Sequence, residues 1–97
     1  MISHMIKIDK IILTTQIVKA VLKYDPNKLF NNKIIYDGSF ELNRMELIML
    51  CDNFEPIQIK LDHIDNKNEF YKIINGRHRI CKAIIDNKEE INSIIFI

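Results

Sequence analysis

Residues 73–83 read Ile73-Ile74-Asn75-Gly76-Arg77-His78-Arg79-Ile80-Cys81-Lys82-Ala83. The apolar run at the start of this stretch is typical of the end of a strand. Gly76 then allows a tight turn and the close approach of a ligand to the backbone. In the residues that follow, Ile80, Ala83 and Ile84 lie at i, i+3 and i+4, which places them on one face of a helix. The stretch therefore predicts a strand, a turn at Gly76 and a helix in direct succession.

The predicted turn is a candidate anion site. The first turn of a helix leaves N–H groups without intrahelical partners, and these groups carry partial positive charge. Arg77, His78 and Arg79 add cationic side chains there, although each cation at a helix N-terminus costs about 0.3–1 kcal/mol. Together these groups favour a phosphate, with Gly76 at the turn. The alternatives are a solvated basic helix start and, for Asn75, a residue that only forms the turn.

The two arginines of this turn are distinctive because the chain otherwise uses lysine for most of its positive charge. Arg44 is the remaining arginine of the sequence. Arginine offers a rigid fork of donors that suits phosphate, whereas lysine is a mobile point charge. Arg44 could reach the same phosphate from a neighbouring helix, or it could be an ordinary surface residue.

Length and composition predict one globular domain. The chain has 97 residues, of which 47% are hydrophobic and 28% charged, so it can bury a core. Its 14 basic and 13 acidic residues give a net charge of +1. This net charge does not indicate a nucleic-acid-binding domain of the strongly basic kind. A local basic patch remains compatible with it.

No stretch approaches the ~20 apolar residues of a membrane span, and the N-terminus lacks the pattern of a signal peptide. We therefore expect an intracellular, non-secreted protein without a membrane partner. Cys51 and Cys81 fit a reducing compartment, and we expect no disulfide between them. Ser3-His4-Met5 is either native or a remnant of an expression vector, so it carries no functional weight.

The first half of the chain predicts alternating strands and helices. The predicted elements are a strand at Ile6–Leu13, a helix capped by Thr14 that runs to Lys23, a turn at Tyr24–Asn27, a strand at Lys33–Tyr36, a turn at Asp37–Ser39 and a helix from Asn43 to Cys51. A longer strand remains an alternative to the helix after Thr14.

The second half predicts a hairpin followed by a helix and a strand. Its predicted elements are a strand at Ile57–Leu61 with strict alternation, a polar loop at Asp62–Asn68, a returning strand at Phe70–Ile74, the basic helix ending near Asn87, and a strand at Ile91–Ile97. The fold class predicted for residues 1–97 is therefore α/β (α+β), a small single domain with a mixed β-sheet and packed helices.

The segment from Pro56 onward follows a recognisable pattern. Pro-Ile-x-Ile precedes a strand, a loop and Tyr-x-Ile-Ile-Asn-Gly-Arg-His-Arg-x-x-x-Ala, and a helix and an apolar strand follow. This pattern resembles the ParB/sulfiredoxin superfamily, and residues 41–54 fit the helix that precedes Pro-Ile in that superfamily. The resemblance is best over residues 41–97 and looser over the first 40.

The resemblance implies a nucleotide-binding domain in which the signature loop holds the phosphates. It places Gly76, His78 and Arg79 at the phosphate-loop positions, and it sets Pro56 and Ile57 against the nucleotide. ATP or CTP is the implied ligand, with Mg²⁺ as a candidate metal. A nuclease or DNA-binding module of the same superfamily would use the turn for a backbone phosphate.

Departures from the family pattern narrow the expected activity. Sulfiredoxin-like members carry a catalytic cysteine where this chain has Arg77, so we do not expect that activity. Partition proteins have Glu-Arg-Arg after the glycine and a helix-turn-helix domain downstream, so a partition role for this sequence alone is not expected. The serine-kinase branch has Asp-Gly-His-His-Arg, and here the glycine, the second histidine and the arginine are kept.

An enzyme of this kind would need a group that accepts a proton. Glu41, Glu46 and Glu55 are candidates, and His78 is a candidate phosphate donor or proton shuttle, with capping or packing as its alternative. Asp62-His63-Ile64-Asp65 brings potential metal ligands together, but at a predicted hairpin tip, where we expect no metal. Three functions remain open: nucleotide binding with phosphoryl transfer or hydrolysis, a DNA/RNA-binding or nuclease module, and a ligand-free interaction domain.

Overall fold

The computed structural model of the chain describes residues 2–32, 34–38 and 55–97. These residues form an α+β fold in which a mixed β-sheet packs against two helices. The strands are β1 (His4–Lys7), β2 (Leu13–Thr14), β3 (Ile35–Tyr36), β4 (Ile57–Asp65), β5 (Asn68–Asn75) and β6 (Glu90–Phe96). The helices are α1 (Thr15–Tyr24), α2 (Arg77–Ile85) and a short 3₁₀ helix at Ile8–Lys10.

The main sheet has the strand order β1-β6-β4-β5. β4 pairs antiparallel with β5 and parallel with β6, and β1 completes the sheet antiparallel to β6. The connection from β5 to β6 therefore passes across β4, and α2 lies within that connection. Because Gln58 pairs with Asn75, the end of β5 lies beside the start of β4, and α2 begins at that place. β2 and β3 form a separate two-stranded parallel sheet.

The predicted hairpin is confirmed, but the polar loop predicted at Asp62–Asn68 is wrong. β4 continues to Asp65, and β5 begins at Asn68. Asn66 and Lys67 alone make the connection, with φ of 49° and 66°. Two successive positive φ angles are the requirement of a tight type I′ hairpin turn, which asparagine tolerates better than most residues. The polar side chains of this region therefore occupy exposed strand positions rather than a loop.

The strand predicted at Ile6–Leu13 is wrong in its extent. β1 ends at Lys7, and the backbone then tightens into the 3₁₀ turn, which is closed by an Ile11 N–H to Ile8 O bond of 3.0 Å. The predicted cap is confirmed, because Thr14 Oγ1 accepts a hydrogen bond of 3.4 Å from Ile17 N–H. The helix predicted after Thr14 is thus confirmed, and the longer strand that was its alternative is wrong.

The remaining predicted elements are found with small shifts where they are described. Asp25 Oδ1 accepts a bond of 3.2 Å from Asn27 N–H, which fits the turn predicted there. β3 occupies the end of the strand predicted at 33–36, and Asn87 follows α2 with φ of 59°. The helix predicted from Asn43 to Cys51 lies outside the described residues.

The core lies between the two helices and one face of the main sheet. Its members include buried side chains from both helices, from β4 and β5, and from the segment before α1: Ile8, Ile11, Leu13, Ile17, Val21, Ile57, Ile59, Tyr71, Ile73, Ile80, Cys81 and Ile84. Lys60 and Lys72 pair across β4 and β5 on the opposite face and are exposed. Among the described helices, none combines the length and apolarity that crossing a bilayer requires.

Candidate functional site

The turn at Gly76 has the tight geometry that the sequence predicts. Gly76 adopts φ 107° and ψ 26° and is the N-cap residue of α2. Its carbonyl accepts the first helical hydrogen bond, from Ile80 N–H at 3.0 Å. A glycine N-cap has no side chain to hold the first-turn N–H groups, and no acidic residue lies in that turn. The helix therefore begins at once after β5 with an electropositive end.

Glycine is required at position 76 by packing as well as by the backbone angle. A Cβ built there would lie 2.6 Å from Ile57 Cγ2 and 2.8 Å from Ile57 Cβ. Ile57 has 0% of its side chain exposed. The close approach that the sequence predicts at Gly76 is thus made by a core side chain of the same chain.

Arg79 joins the first turn of α2 to the start of β4. Its Nη1 donates to the carbonyl oxygens of Glu55 at 2.9 Å and Pro56 at 2.8 Å. Its Nη2 lies 3.1 Å from the Cβ position built on Gly76. The structure therefore brings the backbone of Glu55 and Pro56 next to the basic turn.

Arg77 turns back over the end of β5. Its Nη1 and Nη2 lie 3.4 Å from the carbonyl oxygens of Ile74 and Ile73 respectively. These contacts are longer than the usual 2.7–3.2 Å of an N–H···O bond, so each is weaker than the bonds that Arg79 makes. His78 is half-buried on the same turn, and Asn75 is exposed at the end of β5.

The other predicted site residues are placed as follows. Ile57 points into the core, so its side chain is shielded from any ligand at the turn, whereas Glu55 is exposed and Pro56 is half-buried. Glu41, Arg44 and Glu46 lie outside the described residues. In the hairpin, His63 Nδ1 lies 2.7 Å from Asp62 Oδ2. Over the described ranges, no three His, Cys, Asp or Glu side chains are grouped so as to hold a metal ion.

One contribution to this site was missed by sequence reasoning. Sequence position and side-chain chemistry predict a carboxylate base at Glu55 and a ligand contact at Pro56. The structure instead uses their backbone carbonyls as the acceptors that fix Arg79. Carbonyl direction depends on how the chain enters β4, and no side-chain pattern in the sequence reports it.

Cys81 lies one turn into α2 and is fully buried as a free cysteine. Burial raises the pKa of its thiol to about 12. The thiolate is the nucleophilic form of cysteine, so this residue stays protonated and unreactive near neutral pH. Its position and its protonation therefore both oppose a cysteine-dependent reductase chemistry at this turn.

We expect Cys81 to resist alkylation in the folded protein. In a Cys51→Ser variant, iodoacetamide at pH 8 should label Cys81 at least about a hundredfold more slowly than in urea, because the thiol is buried and its pKa is high. Mass spectrometry of timed samples measures the rate. Rapid labelling without denaturant would contradict the burial of this thiol.

Comparison of the chain with protein-family models, with curated proteins and with solved structures found no match.

Proposed function

We propose that the chain binds a phosphate-bearing ligand at the Asn75–Arg79 turn, with a nucleoside triphosphate such as ATP or CTP as the first candidate. The start of α2 supports this proposal because its N–H donors and dipole favour an anion. Arg77, His78 and Arg79 add donors on the same turn, and the first turn holds no carboxylate that would oppose an anion.

The observation that carries the proposal is the fixed position of Arg79. Both of its hydrogen bonds to the start of β4 use Nη1, so neither Nη2 nor Nε takes part in them. A guanidinium that is already held in place loses little conformational freedom when it binds a ligand. Two further donors on a planar, permanently charged group match the oxygens of a phosphate.

If the domain is an enzyme, phosphoryl transfer or nucleotide hydrolysis is the reaction class that this turn supports. Its contribution would be charge stabilisation and positioning of the phosphates, with Mg²⁺ as the candidate metal. His78 and Glu55 are the described candidates for the proton acceptor, because His78 belongs to the turn and the backbone of Glu55 is bonded to Arg79. Glu41 remains a candidate from the sequence alone.

The proposal predicts that one nucleoside triphosphate raises the thermal unfolding midpoint. The unfolding free energy should increase by about 2.7 kcal/mol at a hundredfold excess over the dissociation constant, because the ligand binds only the native state. The measurement compares ATP, CTP, GTP, inorganic tripolyphosphate and a short DNA duplex, each with and without Mg²⁺. Arg77→Gln should reduce the shift, since it removes a charge from the turn while leaving the Arg79 contacts in place.

Lys67→Gln is the matched control for this experiment. It removes the same charge at the other end of the hairpin, about 25 Å away by the length of β5, so the ligand shift should be unchanged. No shift with any nucleotide or polyphosphate would refute nucleotide binding. A shift with DNA alone that falls steeply with salt would instead support a nucleic-acid-binding module.

A further inference from the structure

A cleft of about 380 Å³ lies at the C-terminal end of α2. Its walls come from the end of β1 and the 3₁₀ turn, from residues 28–32 after α1, and from the connection between α2 and β6. α2 has nine residues, so the cleft is about 13 Å along the helix axis from Gly76. Small-molecule sites have volumes of about 300–1,000 Å³, so the cleft is large enough to hold a ligand independently of the basic turn.

The walls of the cleft are fastened to each other. Asn32 Nδ2 donates to the carbonyl oxygens of Ile8 at 2.8 Å and Ile11 at 2.7 Å, which fixes residues 28–32 against the 3₁₀ turn. At the other side, Lys28 Nζ donates to Asn87 Oδ1. Bonds on two sides make the cleft preformed, which reduces the ordering cost of binding.

The end of α2 at this cleft is closed by its own backbone. Asn87 N–H donates to Ile84 O at 3.1 Å, and Lys88 N–H donates to Ala83 O at 2.9 Å. With φ of 59° at Asn87, this is a Schellman motif, which satisfies carbonyls that a helix C-terminus otherwise leaves open. The capped helix end therefore repels an anion less than an uncapped end would, because fewer of its carbonyls are left without a partner.

Apolar side chains line part of the cleft. Ile8 and Ile84 are buried core residues, and Phe30 packs against the same core. Leu29 also lines the cleft and has 87% of its side chain exposed. Binding becomes more favourable when a ligand covers an exposed leucine and the apolar surface beside it, because apolar area is removed from water. The cleft thus suits a ligand with an apolar body.

The charges around the cleft favour an anionic group. Among the described residues that line it are Lys7, Lys28 and Lys88 together with Asp9 and Glu89, so lysines exceed carboxylates by one there. Within residues 2–32, 34–38 and 55–97, no salt bridge joins any of these lysines to a carboxylate. We propose that this cleft binds a small molecule composed of an apolar ring or chain and a carboxylate, with the lysines contacting the carboxylate.

The test titrates the intact chain with 2-naphthoate and, separately, with its neutral analogue 2-naphthamide. Binding is measured by the chemical-shift changes of the backbone amides in NMR spectra. 2-Naphthoate should give saturable shifts confined to residues 7–9, 28–32 and 84–89. The dissociation constant of 2-naphthamide should be about tenfold higher, which corresponds to 1.4 kcal/mol for the lost charge. Leu29→Glu, on an exposed side chain that the core does not need, should also weaken 2-naphthoate about tenfold.

Two controls separate this site from the basic turn. Arg77→Gln and Lys67→Gln each remove one positive charge away from the cleft and should leave the 2-naphthoate affinity unchanged. The absence of saturable shifts, equal affinities for 2-naphthoate and 2-naphthamide, or shifts centred on Asn75–Arg79 would each overturn the proposal. The cleft lies at the opposite end of α2 from Gly76. A failure to detect nucleotide binding at Gly76 would therefore leave the 2-naphthoate result unaffected.

Discussion

Replacing Gly76 with alanine should destabilise the folded protein by about 2–5 kcal/mol. The backbone contributes first, because a φ of 107° costs an L-residue about 1–2 kcal/mol relative to glycine. The new methyl group would also overlap Ile57, with separations of 2.6 and 2.8 Å. Overpacking of a well-filled core costs about 1–3 kcal/mol, since the neighbours have to move.

Urea unfolding followed by circular dichroism measures this loss as a fall in the midpoint at constant slope. Asn75→Ala is the matched control, because Asn75 is the exposed neighbour of Gly76 and its replacement should change the free energy of unfolding by less than about 0.5 kcal/mol. A loss at Gly76→Ala of under about 1 kcal/mol would contradict both the strain and the overlap.

Local patterns in the sequence predicted most of the elements that are described. Alternation along Ile57–Leu61 identified β4, and the i, i+3, i+4 spacing of Ile80, Ala83 and Ile84 identified the buried face of α2. Thr14 signalled the start of α1 through its capping hydroxyl. These signals are reliable because each depends on contacts within a few residues of the chain.

The errors arose where distant parts of the chain decide the structure. Asp62–Asp65 is polar enough for a loop, but β5 pairs with it through Phe70, whose ring stacks on His63 at 5.1 Å. The β-branched residues and partial alternation of Ile6–Leu13 fit a strand pattern, yet the backbone turns at Ile8, where Asn32 donates to the Ile8 carbonyl. Neither partner is visible from local composition.

At the candidate site, too, features set by adjacent residues could be predicted and features set by distant residues could not. The sequence predicted the turn, its glycine and the cluster of basic residues, because each is encoded in adjacent positions. It could not predict that Ile57 fills the space beside Gly76 or that Arg79 is bonded to the backbone of Glu55 and Pro56. Gly76 and Arg79 therefore have structural roles that do not require a ligand. Replacing Arg77 removes a positive charge from the turn and leaves the Arg79 bonds to Glu55 and Pro56 in place, so Arg77 is the better residue for testing phosphate binding separately from those bonds.

Replacing Ile57 with alanine should destabilise the protein by about 2–5 kcal/mol, because a fully buried isoleucine leaves a cavity when it is truncated. The loss should not add to that of Gly76→Ala. In the double variant the Cγ2 at 2.6 Å from the new methyl is gone while the Cβ at 2.8 Å remains, so the overlap is relieved in part and the methyl fills part of the cavity. We therefore expect the loss of unfolding free energy in the double variant to be smaller than the sum of the two single losses by about 0.5–3 kcal/mol.

Ile59→Ala provides the comparison for this cycle. Ile59 also has 0% exposure and lies two residues along the same face of β4, but it is not among the nearest neighbours of the Cβ position built on Gly76. Its loss should add to that of Gly76→Ala within about 0.5 kcal/mol. Urea unfolding of both cycles gives the two coupling energies. Equal couplings would mean that backbone strain alone requires glycine at position 76. A coupling confined to Ile57 would mean that the turn at the start of α2 is held by its contact with the core.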